Sequence, residues 1–181
     1  SPPAQATIEH DQIQLDHLVE TIVNAPKTVF GPEFFSDEDL KCLTDNTYYE
    51  ARGEGMDGRY AVIFATLSRV LDRQYPKTVC GVVHQPWQFS WTMDKGLRAQ
   101  PINPRDYLEI SRQVADLTTG RTLDEATILS GMHTGLPSGA IFYKRVGFLG
   151  SAKVQEFFGG LRSVGVIGHH EFFVRGDPHI K

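Results

Sequence analysis

Two helical segments separated by a glycine-containing break constrain the fold of this chain more than any other feature. Ser36 is a good N-cap and three acidic residues follow it, so a helix is predicted over residues 37–52. Gly53 and Gly55 interrupt the helical pattern. A second helix is predicted from residue 57 or 58 to 71, so the two helices meet at the glycines.

The rest of the pattern predicts an α+β domain in which helices dominate. A third helix is predicted over residues 104–117, where apolar residues recur at helical spacing after a proline. Short strands rich in β-branched and aromatic residues are predicted at 140–143, 164–167 and 170–174. Gly168 is expected to form a tight turn between the last two strands.

Composition narrows the class of protein. The chain has 181 residues, 40% of them apolar, and a formal charge of −4, without a dense basic block, so no nucleic-acid partner is expected. No apolar run approaches the roughly 20 residues of a membrane-spanning helix. The first residues lack the pattern of a signal peptide, which suggests a mature fragment or export by means that the sequence does not encode.

Three regions are predicted along the chain. Residues 1–35 form an N-terminal extension, with an amphipathic helix that ends before Pro26 and a linker. Residues 36–176 form the main domain, and residues 177–181 are a tail. Nothing in the sequence requires more than a monomer.

Two cysteines, Cys42 and Cys80, permit one disulfide but not a four-cysteine metal site. They are either buried free thiols or a bonded pair. A bond would close a loop of roughly 40 residues and add about 3 to 4 kcal/mol of stability, which suits a protein outside the cytoplasm.

A polar stripe marks the first predicted helix, because Asn46, Glu50 and Glu54 recur every four residues on one face. Glu50 follows two tyrosines near the helix end, where desolvation could raise its pKa and make it a proton donor near neutral pH. The alternative is that both glutamates are solvated surface charges.

Several stretches closely resemble the SleB-type cell-wall hydrolase family. They are NTYYEARGE at 46–54, YPKTVCGVVHQ at 75–85 and QFSW at 88–91. Much later, IGHHEFF at 167–173 is similar to the closing segment of that family, with His170 in the place of its histidine.

The resemblance implies a fold akin to goose-type lysozyme and a reaction on peptidoglycan. Members of the family cleave the bond between N-acetylmuramic acid and N-acetylglucosamine, usually as lytic transglycosylases, and Glu50 corresponds to their acid. A single carboxyl suffices because the primary hydroxyl of the muramic acid attacks the anomeric carbon, whereas a hydrolase normally uses two carboxyls.

The resemblance and the residue types also indicate a substrate-binding set, made of amide, hydroxyl, imidazole and aromatic side chains that suit sugars. The set is Asn46, Tyr49, Gln88, Phe89, Ser90, Tyr143 and His170. For Phe89 and Trp91 a place in the core is the alternative. The region 123–137 is longer than the usual link in the family, and its function is open.

Glu54 leaves the outcome of the reaction open. It could act as a second carboxylate in a hydrolytic muramidase, although Gly53 is expected to break the helix before it, which favours a structural role such as capping the next helix. Adjacent residues His169 and His170 would point to opposite faces of a strand, so no metal ligation and no cofactor is expected.

The sequence thus predicts a peptidoglycan-cleaving enzyme that acts in the bacterial periplasm or cell wall, in phage-mediated host-cell lysis or in wall remodelling. One alternative is a noncatalytic glycan-binding protein of a virion or wall. A zinc amidase is a more distant alternative, which loss of activity on chelation would identify.

Overall fold

The structure is a computed structural model that describes residues 35–176. The helix predicted before Pro26 and the tail at 177–181 lie outside the described residues, and the proposed division at residue 35 stays a prediction. Among the residues that are described, no helix is both long and apolar enough to cross a membrane.

Helix α1 (Asp37–Ala51) confirms the first predicted helix. Ser36 accepts a hydrogen bond from the backbone N–H of Asp39, and the Asp39 side chain accepts one from the Ser36 N–H, which closes a capping box. The helix continues to Ala51, so Glu50 lies in its last turn.

Helix α2 (Met56–Leu71) is the central helix of the domain and confirms the second prediction. All residues at 60–70 are buried, so neighbours cover it on every side. Its N-cap is Gly55, which provides no side-chain cap. The glycine break therefore turns the chain from α1 directly into the core.

Short elements follow α2: helix α3 (Val79–Val83), a 3₁₀ turn (Ser90–Thr92) and helix α4 (Lys95–Ala99). Cys80 in α3 forms a disulfide with Cys42 in α1, with 5.3 Å between their Cα atoms. This bond settles the open alternative and fastens the loop after α2 to α1.

Helix α5 (Pro104–Thr118) confirms the third predicted helix. Asn103 caps it by accepting the N–H of Asp106, and Pro104 occupies the first turn, where no backbone donor is needed. The helix packs against α1 and contributes Ile110 and Leu117 to the main core.

Helix α6 (Leu123–Thr134) was not predicted, because the region was interpreted only as a long link. Its apolar residues do not form one stripe, and Ile128 is 53% exposed. Small residues allow it to approach α2 closely: a Cβ on Gly131 would lie 2.7 Å from the Phe64 ring. Gly135 ends the helix with a φ of 68°.

A three-stranded antiparallel sheet completes the domain, in the order β1-β3-β2. The strands are β1 (Phe142–Arg145), β2 (Leu161–Ile167) and β3 (His170–Arg175), and helix α7 (Ala152–Gly159) lies between the first two in sequence. All three predicted strands are confirmed, although β1 begins two residues later than expected. Gly168, with a φ of 60°, forms the predicted turn.

The core explains where the sheet lies. The main cluster joins α1, α2, α3 and α5, and a second cluster packs Phe172 of β3 against Ala61 and Ala65 of α2. Complete burial of a phenylalanine is worth about 1.5–3 kcal/mol, so this contact holds the sheet on α2. The predicted α+β domain, mainly helical, is confirmed.

Candidate active site

A cleft of about 1120 Å³ opens where the end of α1 meets the sheet and the loop before α4. Its walls come from the segment at 85–93, from the edge strand β1 and from α7. Its lining includes many of the polar and aromatic residues of the domain: Tyr49, Glu50, Arg69, Tyr75, Gln85, Trp87, Gln88, Phe89, Ser90, Tyr143, Lys144, Arg145, Phe148, Phe158, His170 and Arg175.

Glu50 contributes the sole carboxyl to this lining within residues 35–176. Burial raises its pKa from 4.5 to about 7, because the carboxylate loses the solvation that water would give it. The Tyr143 hydroxyl and the Arg69 cation lower the pKa, but less than burial raises it. A carboxyl with this pKa can give up and take back a proton at neutral pH.

Tyr143 lies beside Glu50 and stays neutral. Burial and the nearby carboxyl of Glu50 hold the pKa of its hydroxyl well above the usual 10. Its ring also contacts His170 edge-on, with 5.0 Å between centroids. Tyr143 therefore supplies a neutral hydroxyl donor next to the candidate acid.

Arg69 is a buried cation, with 5% of its surface exposed. Its Nε donates to the carbonyl of Ile141 at 2.8 Å, and its Cζ lies 4.9 Å from the Phe89 ring centroid, 5.6 Å from that of Tyr75 and 6.0 Å from that of Tyr143. The aromatic rings fix the guanidinium, whose charge favours the ionised form of the candidate acid.

Four buried polar atoms on the cleft have no hydrogen-bond partner in the described part of the chain. They are Arg69 Nη1, Gln85 Oε1, Tyr143 Oη and His170 Nδ1. Buried polar atoms are almost always paired with protein, water or ligand, because leaving one unpaired costs about 1–3 kcal/mol. Their concentration here indicates a site that receives polar groups.

Asn46 does not reach the cleft, so the prediction that it binds substrate is wrong. It is fully buried; its Oδ1 accepts from Trp91 Nε1 at 2.8 Å, and its Nδ2 donates to Thr66 Oγ1 at 3.3 Å. Helical spacing correctly indicated that Asn46 shares a helix face with Glu50, but it could not indicate how deeply the Asn46 side chain is buried. Asn46 instead anchors the segment at 85–93, called the aromatic loop below, to α1 and α2.

The aromatic loop presents Gln88, Phe89 and Ser90, whereas Tyr49 lies on α1. Tyr49, Gln88 and Ser90 line the cleft, and Tyr49 stacks on Trp91 with 4.6 Å between centroids. Phe89 is only 2% exposed, so it belongs to both the core and the floor of the cleft. Their binding of substrate stays a prediction, as it does for Tyr143 and His170.

Trp87 was missed by the sequence interpretation. Its side chain is 83% exposed on the rim of the cleft, and its φ of 67° is the only positive value outside glycine in residues 35–176. A bulky residue in this conformation is strained. The sequence offered only one signal, an aromatic residue directly after Pro86, between two segments of the resemblance.

Glu54 lies outside the cleft lining and accepts hydrogen bonds from the turn between β2 and β3. Its side chain is 8% exposed and accepts the backbone N–H of His169 at 3.2–3.3 Å. The predicted cap of the next helix is wrong, because Gly55 occupies that position without a side-chain bond. The structural role is therefore a clamp on the turn, which leaves Glu54 badly placed as a nucleophile in the cleft.

The adjacent histidines approach the same carboxylate, contrary to the expectation of opposite faces. His169 lies in the turn, not in the strand, and its Nδ1 is 3.1 Å from Glu54 Oε1, while His170 Nδ1 is 3.6 Å from the same atom. Burial lowers the pKa of His170. Within the described ranges, no group of three or more His, Cys, Asp or Glu side chains is arranged to hold a metal ion.

Comparisons with known proteins agree with this geometry. The family described as Cell Wall Hydrolase matches residues 53–173, which is more than half of the chain and begins just after Glu50. The chain is 34% identical over 70 residues to the spore cortex-lytic enzyme of Bacillus subtilis, covering 39% of this chain and 23% of that protein. The corresponding enzyme of Oceanobacillus iheyensis is 33% identical over 70 residues, covering 39% of this chain and 25% of that protein. The chain thus spans about a quarter of the length of the curated relatives it matches.

Solved structures give the same result for the fold. The catalytic domain of the germination-specific lytic transglycosylase SleB from Bacillus anthracis is 25% identical, with a TM-score of 0.55 over 79% of this chain and 99% of that chain. The catalytic domain of the Bacillus cereus SleB protein shares the fold at 20% identity and a TM-score of 0.50, over 83% of this chain and 99% of that one. Both the resemblance and the predicted mainly helical, lysozyme-like α+β fold are confirmed, and the chain belongs to the Cell Wall Hydrolase family of enzymes.

Proposed function

We propose that this protein is a peptidoglycan lytic transglycosylase that cleaves the bond between N-acetylmuramic acid and N-acetylglucosamine, with Glu50 as acid and then base. The observation that carries the proposal is Glu50, the one carboxyl that residues 35–176 place on the cleft, whose pKa of about 7 suits proton transfer at neutral pH. Family membership supports action on the cell wall.

In the first step, protonated Glu50 donates its proton to the glycosidic oxygen, and the bond between that oxygen and the anomeric carbon breaks. Glu50 is then a carboxylate, which the Arg69 cation and the Tyr143 hydroxyl stabilise. In the second step, the primary hydroxyl of the muramic acid attacks the anomeric carbon and Glu50 accepts its proton. A 1,6-anhydromuramic end forms and the acid is restored.

The position of Glu54 favours this route over hydrolysis by two carboxylates. A retaining hydrolase needs a second carboxylate about 5 Å from the acid, across the bond that breaks. Glu54 instead accepts hydrogen bonds from His169 and is nearly buried. The chemistry therefore relies on the substrate's own hydroxyl as nucleophile.

The test is digestion of purified peptidoglycan by the wild type, Glu50→Gln and Glu54→Gln, with the soluble products analysed by mass spectrometry. We expect anhydromuramic ends from the wild type and from Glu54→Gln. Glu50→Gln should be about 10² to 10⁴ times slower, the usual contribution of a general acid.

Other outcomes identify the alternatives. Reducing muramic ends that disappear in Glu54→Gln would show a two-carboxylate muramidase. Equal activity of Glu50→Gln and the wild type would refute the role of Glu50. Binding to sacculi without any product would indicate a noncatalytic glycan-binding protein.

The biological setting we propose is the bacterial cell wall, either in host-cell lysis after phage infection or in wall remodelling. The disulfide between Cys42 and Cys80 supports action in an oxidising compartment. Directing the protein to the periplasm of a test bacterium separates the two roles. Rapid lysis supports the phage role, and altered growth or cell shape without lysis supports remodelling.

A further inference from the structure

Cations dominate the charged lining of the cleft. Arg69, Lys144, Arg145 and Arg175 line it, and Glu50 is its sole carboxyl among residues 35–176. The chain as a whole has a charge of −4, so the cleft opposes the net charge of the protein. A cleft that concentrates one sign of charge attracts ligands of the opposite sign.

Most of this charge has no carboxylate partner among the described residues. Arg175 is paired with Asp72 at 2.6 Å, but the other three cations have no carboxylate within ion-pair distance in the described part of the chain. Glu171 lies opposite Lys144 in the sheet, yet its carboxylate accepts from Ser163 Oγ at 2.7 Å. Lys144 and Arg145 on β1 therefore have no carboxylate partner among residues 35–176.

Two of the cations lie at the end of the edge strand, directly after Tyr143. Lys144 Nζ donates to the carbonyl of Phe148 at 3.2 Å, which holds its stem along the cleft wall. Arg145 is exposed and pairs in register with His170. At about 3.3 Å per strand residue, the Cα atoms of Lys144 and Arg145 follow that of Tyr143 by about 3 and 7 Å along the strand.

We propose that Lys144 and Arg145 bind carboxylate groups of the peptides attached to muramic acid, so that the preferred substrate is peptide-bearing, anionic peptidoglycan. The inference rests on the proposed function. The peptide leaves the glycan at the lactyl group of the muramic acid whose bond is cleaved, so its carboxylates project from the sugar that Glu50 contacts. Phosphate polymers of the wall carry the same sign of charge, but the peptide is attached to the reacting sugar itself.

The test compares two phosphate-free substrates, with sacculi that retain their phosphate polymers as a reference. Both substrates are sacculi freed of phosphate polymers with hydrofluoric acid, and one of them then has its carboxyl groups converted to neutral amides. We expect Lys144→Gln/Arg145→Gln to lose about threefold to tenfold more kcat/KM on the phosphate-free sacculi with free carboxyl groups than on the amidated ones, because two partly screened charge contacts are lost. The control Arg105→Gln/Arg112→Gln changes the net charge equally on α5, outside the cleft lining, and should show no such difference.

The single variant Arg145→Gln separates the charge effect from misfolding, because the Arg145 side chain is exposed. It should show part of the same difference in kcat/KM between the two substrates, with an unchanged Tm. Equal losses on both substrates would overturn the proposal. So would a difference that arises only on sacculi that retain phosphate polymers, which would assign the cations to those polymers. If the wild type releases no anhydromuropeptides from either substrate, the proposed function itself fails, whereas equal release from both refutes only the preference for carboxylates.

Discussion

Burial of Glu50 beside Tyr143 destabilises the folded protein whenever the carboxyl is ionised. The pKa of Glu50 in the folded state is about 7, above its ordinary value of 4.5. The stability contributed by the protonated form is therefore fully present below pH 4.5 and is lost as the pH rises through about 7. The difference corresponds to about 3 kcal/mol.

We therefore predict that Glu50→Gln is more stable than the wild type at pH 8, by up to about 3 kcal/mol, and equally stable at pH 4. Glutamine fills the same space without an ionisable group, so its stability should lack this pH dependence. Urea unfolding at both pH values measures the effect. Glu156→Gln, at an exposed position in α7, is the control, and an equal pH response of both variants would contradict the prediction.

Trp87 combines exposure with backbone strain, which suggests that its ring has a function on the cleft rim. We predict that Trp87→Gly raises stability by up to about 1 kcal/mol, because glycine tolerates the positive φ. The same change should weaken glycan binding about twofold to tenfold through the lost aromatic contact. Trp87→Phe keeps a ring and should bind nearly as well as the wild type. Glycan binding that is unaffected in Trp87→Gly would remove the ring from the binding site.

At the scale of elements, one turn joins the sheet to the end of α1. Gly168 has a φ of 60°, and a Cβ at this position would overlap Glu54 Oε2. The carboxylate that clamps His169 thus requires a glycine beside it.

Gly168→Ala should accordingly lower the stability by about 1–3 kcal/mol through left-handed strain, with further loss from the displaced Glu54. Gly159→Ala in α7 is the matched control, since a Cβ there meets nothing within 4 Å. Thermal unfolding of both variants provides the measurement. Equal Tm values for Gly168→Ala and the wild type would show that the clamp is dispensable.

The elements that the sequence revealed are those with local signals. A capping box and an apolar run define α1 and α2, and β-branched or aromatic residues mark the strands. Helix α6 escaped detection because it packs through small residues such as Gly131 and not through an apolar stripe.

The same limit applies to the site. The resemblance indicated Glu50. How deeply a side chain is buried depends on tertiary packing, so the sequence placed Asn46 in the cleft although it lies in the core. The exposure and φ of Trp87 likewise follow from the folded loop and from no local pattern. Glu54 lies 115 residues from His169 in sequence, a contact that no spacing rule could indicate.

At the scale of the whole molecule, the disulfide between Cys42 and Cys80 links α1 to the segment that leads into the aromatic loop. It joins residues separated by 38 positions, and chain-entropy models give about 4 kcal/mol for a loop of this length. We predict that Cys42→Ala/Cys80→Ala lowers the free energy of unfolding by about 3 to 4 kcal/mol. Calorimetry with and without reductant measures it: the wild type should lose stability on reduction and the double variant should not. A wild type that is insensitive to reduction would contradict the prediction.

The opposite environments of the two tryptophans give the protein an intrinsic optical reporter. Trp91 is 5% exposed and bonded to Asn46, whereas Trp87 is 83% exposed on the cleft rim. Indole emission shifts to shorter wavelength when water is displaced from the ring, so a saccharide that covers Trp87 changes the spectrum while Trp91 contributes a constant background. Fluorescence of unlabelled protein can therefore follow occupancy of the cleft in real time, even in Glu50→Gln, where no product forms to be counted.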